Sequence, residues 1–436
     1  MLDNPRLRLR VKRKSHNGAL NMFNRRDMLR LAAAGAFASS VSWLDIVARR
    51  GLVQAAESGR KHKSCIVLFM SGGPSQAHTF DLKPGGHYKP IKTSAEGIEI
   101  SEYLSEVAKQ MHLMSLVRSM KTGDANHQTA HYLMRTGFRQ GSGGLDYPHF
   151  GAQASYQLVK NENRMPNFIV LKPGSGSKNG FTNGYLSSAF SPMVMTDVSK
   201  GIADLQPARE MKTFDRRAEL LAKQDESFFE QYRISAAKEK MDAYRKAIDL
   251  VHYDKATEAF QLDKEPANIR KMYGEGKFAD QCLGARRLVE AGVPFVEVMH
   301  PGYWDTHGGA EAGQRRYSEE LDRPMAALLQ DLNDRGMLDD TLVVWMGEFG
   351  RSFNGGNHHA KAWTTGFAGA GVRGGQVIGK TDSKAMTVED RPVSVADFVA
   401  TIYHALGIDH KQEVQVGDRP IGLVDGEANP VLELFS

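Results

Sequence analysis

Four short, predominantly apolar runs punctuate the chain, at positions 65–70, 168–171, 294–299 and 341–346, the third interrupted by Glu297. A strand covered on both faces has no polar side, so it reads as such a run rather than as an alternation. Each run ends in a glycine-rich or polar loop, the first in Ser71-Gly72-Gly73-Pro74. Between the runs the periodicity changes to that of helices, at 218–259, dense in Glu, Lys and Ala, and again at 278–291. The charge of the first stretch exceeds what a core layer tolerates, which predicts a surface helical insertion over about 205–290. Near the end Ser394 stands as an N-cap before an apolar helix that reaches Ala405 and stops at Gly407. Strands alternating with helices predict an α/β fold, a three-layer sandwich around a mainly parallel central sheet.

Charge changes the picture at one end of the chain. Residues 1–56 hold 11 Lys and Arg against Asp3, Asp27 and Asp45, leaving 45 basic and 48 acidic residues in the body. The overall excess of +5 therefore belongs to the leader, and the body lacks the basic stripe with interleaved aromatics that nucleic-acid binding requires. In the leader, Asn24-Arg25-Arg26-Asp27-Met28-Leu29-Arg30 precedes a modest Ala-rich run and then small residues at 53–56. The pattern reads as a twin-arginine signal over 1–56, with 57–436 as a single domain delivered to the periplasm or the extracellular space by that export machinery. The apolar run is broken by Gly35, several serines and Asp45, too short and weak for a stable membrane span. Two cysteines, Cys65 and Cys282, are too few for a disulfide framework.

In open α/β sheets ligands bind outside the carboxyl ends of the strands, so the residues just after each run are the informative ones. After 294–299 comes His300-Pro301-Gly302-Tyr303-Trp304-Asp305-Thr306-His307; after 341–346 comes Gly347-Glu348-Phe349-Gly350-Arg351, then Asn357-His358-His359. Carboxylates and imidazoles brought from two loops form an N/O donor set, with Asp305, His307, Glu348, His358 and His359 as candidate ligands for zinc, manganese, calcium or magnesium. Arg351 and Arg373 flank the second loop as candidate anion binders. The stretch Gly174-Ser175-Gly176-Ser177-Lys178-Asn179-Gly180 fits neither the P-loop nor the dinucleotide spacing.

Four stretches together carry a family resemblance. Gly72-Gly73-Pro74-Ser75-Gln76 with Phe80-Asp81-Leu82-Lys83-Pro84, Trp304-Asp305-Thr306-His307, Gly347-Glu348-Phe349-Gly350-Arg351, and Gly374-Gly375-Gln376-Val377-Ile378-Gly379 resemble the secreted bacterial family called domain of unknown function 1501. That family is placed in the alkaline phosphatase and sulfatase superfamily, and the resemblance runs from about residue 65 to about residue 409. It implies an alkaline-phosphatase-like fold. It also implies divalent metal held by Asp305 and His307, by Glu348, and by His358 or His359. The implied activity is hydrolysis of phosphate or sulfate esters, on a small anionic ester or a sulfated or phosphorylated glycan; the alternative is an exported binding or structural protein that keeps the fold without catalysis. Three departures stand out. Phe349 occupies the place of a ligand histidine, Ser71-Gly72-Gly73 replaces the usual first-strand aspartate, and His127 falls at the nucleophile position of a sulfatase-like frame counted back from Thr136-Gly137. His127 is accordingly a candidate nucleophile or anion-binding group, and His131, four residues on, shares its helix face as a further metal or anion contact. Oligomeric state leaves no mark in the sequence.

Overall fold

The computed structural model describes residues 63–159, 164–172, 179–202, 205, 207 and 210–436. Residues 1–56, read above as a twin-arginine signal, and positions 174–178 lie outside the described residues. Eight strands make the central sheet: β1 (Ser64–Phe69), β2 (Met114–Met120), β3 (Phe168–Leu171), β4 (Met193–Met195), β5 (Phe295–Met299), β6 (Thr341–Met346), β7 (Trp363–Ala368) and β8 (Val377–Ile378). Their lateral order is β8-β2-β7-β6-β1-β5-β3-β4. Only β7 runs against its neighbours β2 and β6; every other pairing is parallel. The fold is therefore the α/β sandwich with a mainly parallel sheet that the apolar runs predict.

Seven helices of nine residues or more are described: α1 (His127–Thr136), α2 (Phe150–Leu158), α3 (Met211–Tyr232), α4 (Ser235–Val251), α5 (Lys277–Glu290), α6 (Ala310–Asp334) and α7 (Val395–Ala405). β1 lies between β5 and β6 and is buried along its whole length. Its even positions Ile66 and Leu68 join Leu283 of α5 and Leu321 and Leu328 of α6 in one core. Its odd position Phe69 meets the other layer, where Arg135 of α1 stacks over the ring. On that side Gly151 of α2 sits where a Cβ would strike the Phe295 ring, and Gly137 at the end of α1 faces Val399 of α7. Ser394 does cap α7, in a reciprocal capping box with Asp397.

The charged insertion is shorter than its sequence pattern. α3 buries no residue, whereas α5, which the pattern groups with it, is a core helix with Cys282 and Ala285 fully buried. Lys and Arg alone do not mark the surface: Arg286 is buried because Glu265, Glu290 and Asp331 surround its guanidinium. Strands Glu413–Val416 and Arg419–Gly422 form a hairpin of their own. No helix among the described residues is long and apolar enough to cross a membrane.

Candidate functional site

The loops leaving β1, β5 and β6 converge because those three parallel strands are neighbours, so all three carboxyl ends open on one edge. The loop after β1 makes the tightest turn. Gly72 has φ 106°, and a Cβ there would lie 2.4 Å from the Asp305 nitrogen. Its own N–H donates to both oxygens of Glu348, at 2.8 and 3.2 Å. Glu348 is fully buried, and Thr122 further fixes its backbone carbonyl at 2.9 Å.

Helix α1 points its first turn at this edge. Asn126 caps it, accepting from the N–H groups of Gln128 and Thr129, so that His127 begins the helix and His131 follows one turn later on the same face. His127 Nδ1 lies 2.6 Å from Glu348 Oε1, and its Nε2 lies 3.2 Å from Asp305 Oδ2. That Nε2 is buried and makes no hydrogen bond. His131 Nε2 lies 3.2 Å from the same Glu348 Oε1 and 3.3 Å from Ser71 Oγ.

A second group gathers on the other oxygen of Asp305. His358 Nε2 is 3.1 Å and His307 Nε2 2.9 Å from Oδ1, and the two ring nitrogens are 3.0 Å apart. His358 Nδ1 donates to the Ala125 carbonyl at 2.8 Å. In a neutral ring this bond leaves Nε2 with its lone pair toward a carboxylate, an arrangement that needs a proton or a cation between them. Among the described residues two three-donor groups thus stand within metal-binding reach: His127, Asp305 and His358, and His127, His131 and Glu348.

Electrostatics follow the geometry. Burial alone would raise the Glu348 carboxyl, but His131 and His127 outweigh it and hold the acid far below its ordinary range. Burial also opposes ionisation of Asp305, and Arg351 and then His358 reverse that effect and lower it. His127 moves the other way: burial disfavours its charge, yet Glu348 and Asp305 prevail and raise it.

Two of the sequence candidates take other parts than expected. His358 and His359 form a two-residue strand paired with Gly350–Arg351, and successive side chains of a strand face opposite ways. Hence only His358 turns to Asp305, while His359 Nε2 is 2.6 Å from the Met386 carbonyl. Arg351 is fully buried and donates to the carbonyls of Gly72, Gly73 and Gly356 and to Asp305. It braces the β1 loop and orients Asp305 from behind rather than facing an open anion site. His307 does reach Asp305 but is half exposed.

The structure adds one residue that sequence reasoning passed over, Tyr303, and gives a place to one that it singled out, Phe349. Tyr303 is half exposed with its ring 5.4 Å from His127, and burial, then Glu348 and Asp305, push its phenol up to about 12. Phe349, buried, lies 4.8 Å from the rings of both His127 and His358 and forms an apolar wall where a ligand was expected. The only sequence signal for Tyr303 was its place in the loop after 294–299.

The fold and this edge together define an α/β sandwich with a histidine and carboxylate cluster at the carboxyl ends of its central strands. The chain belongs to the family described as Protein of unknown function (DUF1501), which it matches over residues 62–435. No curated protein matches it. Among solved structures it is similar to the PsFucS1 sulfatase from Pseudoalteromonas sp., at 13% identity and a TM-score of 0.42 over 82% of this chain and 70% of that one. It is also similar to a putative sulfatase from Bacteroides thetaiotaomicron, at 10% identity and TM-score 0.37 over 86% and 75%. A third is the phosphonate monoester hydrolase SpPMH from Silicibacter pomeroyi, at 11% identity and TM-score 0.36 over 86% and 77%.

Proposed function

We propose that this protein is an exported hydrolase of phosphate or sulfate esters that works with a bound divalent cation. One observation carries the reading: imidazole nitrogens of His127, His131 and His358 converge on the carboxylates of Glu348 and Asp305 at the edge where β1, β5 and β6 end. The donor set fits a cation, since lone pairs and carboxylate oxygens face one another there and His127 Nε2 is buried without a hydrogen bond. Imidazole-rich N/O ligation favours zinc or manganese over calcium or magnesium, which prefer oxygen alone. When bound, such an ion supplies Lewis acidity toward an ester oxygen.

The residues of the chain do the rest. The positive end of the α1 dipole lies beside the cluster and favours an anionic substrate. Tyr303 keeps its proton at physiological pH and offers a phenolic donor next to His127. Arg351 holds Asp305 ionised and in place. Both ring nitrogens of His127 face carboxylates, so its part is to bind rather than to attack.

Elemental analysis of the purified protein, with turnover of aryl phosphates and aryl sulfates across added zinc and manganese, tests the proposal. At least one equivalent of bound metal and cation-dependent turnover are expected, with metal binding weakened and turnover lost in His358→Ala; a metal-free protein with no turnover under any cation ends it. A second reading, an exported binder without catalysis, is favoured by Ser71 and Phe349 standing where ligands belong. Tight binding of a sulfated or phosphorylated glycan without turnover would select it. Export itself is checked by fusing residues 1–56 to a reporter: replacing both Arg25 and Arg26 by Lys should retain the reporter in the cytoplasm.

A further inference from the structure

The two three-donor groups are not independent, because both contain His127. Its Nδ1 faces Glu348 Oε1, with His131 Nε2 on the same oxygen. Its Nε2 faces Asp305 Oδ2, and the other oxygen of that carboxylate holds His358. A neutral imidazole carries one N–H and one lone pair, so it satisfies at most one of two flanking carboxylates as a donor. On the other side a lone pair then meets an anion. Three arrangements relieve this: a second proton on the ring, one cation at the lone pair with the N–H serving the other carboxylate, or a cation on each side.

We infer that His127 is a bridging ligand, each ring nitrogen binding one cation, so that the protein holds a pair of divalent ions joined through a single imidazole. One ion takes His127 Nε2, Asp305 and His358; the other takes His127 Nδ1, Glu348 and His131. Filling both sides displaces the remaining ring proton of His127 to solvent and leaves the ring as an anion between two cations. Three features fit this assignment. His127 Nε2 is buried near Asp305 but makes no hydrogen bond to it. His358 is oriented by the Ala125 carbonyl so that its own Nε2 serves the Asp305 side. Each side has its own carboxylate, Glu348 fully buried and Asp305 braced by Arg351. The pair of dications outweighs the two carboxylates and the ring anion, and that surplus suits an anionic ester.

This inference rests on the cation reading above and adds to it a count and a bridge. Cu²⁺ is the probe, because it suits imidazole and carboxylate donors and reports its neighbours magnetically. The metal-stripped full chain, titrated with Cu²⁺, should take up about two equivalents and lose most of its electron paramagnetic resonance intensity as the second ion couples to the first. His131→Ala and His358→Ala should each bind about one equivalent at full intensity, and His127→Ala should show no coupling at any loading. Circular dichroism of each variant confirms that it is folded, and the wild-type spectrum alone decides the matter should a variant fail to fold. Two uncoupled ions, or a single ion, overturn the bridge while leaving the hydrolase proposal standing. No bound copper, zinc or manganese overturns both.

Discussion

At the scale of single residues the site depends on positions that look ordinary in sequence. Gly72 is one: its φ of 106° and the 2.4 Å approach of a Cβ to the Asp305 nitrogen exclude any side chain. Gly72→Ala should destabilise the protein by roughly 2–4 kcal/mol in urea denaturation, through backbone strain and displacement of the Asp305 loop. His358 and His359 provide a paired control, since adjacent residues of a strand face opposite sides. Isothermal titration with zinc should show His358→Ala weakening binding at least about tenfold and His359→Ala leaving it unchanged. Equal effects of the two would mean that the strand does not hold its register in solution.

Elements set the next scale, and α1 matters most because it aims His127 and His131. Its far end is anchored by Arg135, which donates to Glu297 of β5 at 2.9 Å, while His149 ahead of α2 meets the other Glu297 oxygen at 2.8 Å. All three side chains are fully buried, so removing one partner leaves an unpaired buried charge. Arg135→Met should cost about 3–5 kcal/mol by chemical denaturation. Burial raises the Glu297 carboxyl, but Arg135 and His149 more than reverse this and bring it from the ordinary 4.5 to about 2. Because the folded value is the lower one, the unfolded chain binds more protons in acid. The stabilisation is complete above about 4.5 and is lost as pH falls from there toward 2. His149, lowered mainly by burial, adds a loss of the same sign below its ordinary 6.5. Unfolding free energy followed against pH should therefore fall through the acid range, and Glu297→Gln should flatten the part below 4.5; an unchanged slope would remove Glu297 from the account.

For the molecule as a whole, the sandwich separates a core that must stay closed from a surface that tolerates change. Cys65 in the central strand and Cys282 in α5 are both free and fully buried, and burial raises both thiols well above their ordinary value. Neither should react with a thiol reagent in the native protein, and both should become reactive together with global unfolding. Exposed apolar positions of α3 behave oppositely: Leu220, 59% accessible, should accept Gln within about 0.5 kcal/mol.

The sequence alone determined the architecture and the loops that matter. A strand buried on both faces is mostly apolar, so β1, β3, β5 and β6 were legible as runs even with Glu297 inside β5, and the parallel α/β rule sent attention to Asp305 and Glu348 after them. It did not reveal β2 and β7, whose mixed composition becomes strand-like only through pairing with their neighbours, nor that charged α5 lies in the core, since its buried Arg286 needs partners from distant segments. The tertiary structure decided which histidine of the His358-His359 pair faces Asp305, that Arg351 is a brace, and that His127 stands between two carboxylates. Those outcomes depend on side-chain direction and on contacts between residues 53 to 279 positions apart. Local pattern carries no information about such contacts until the strands have aligned.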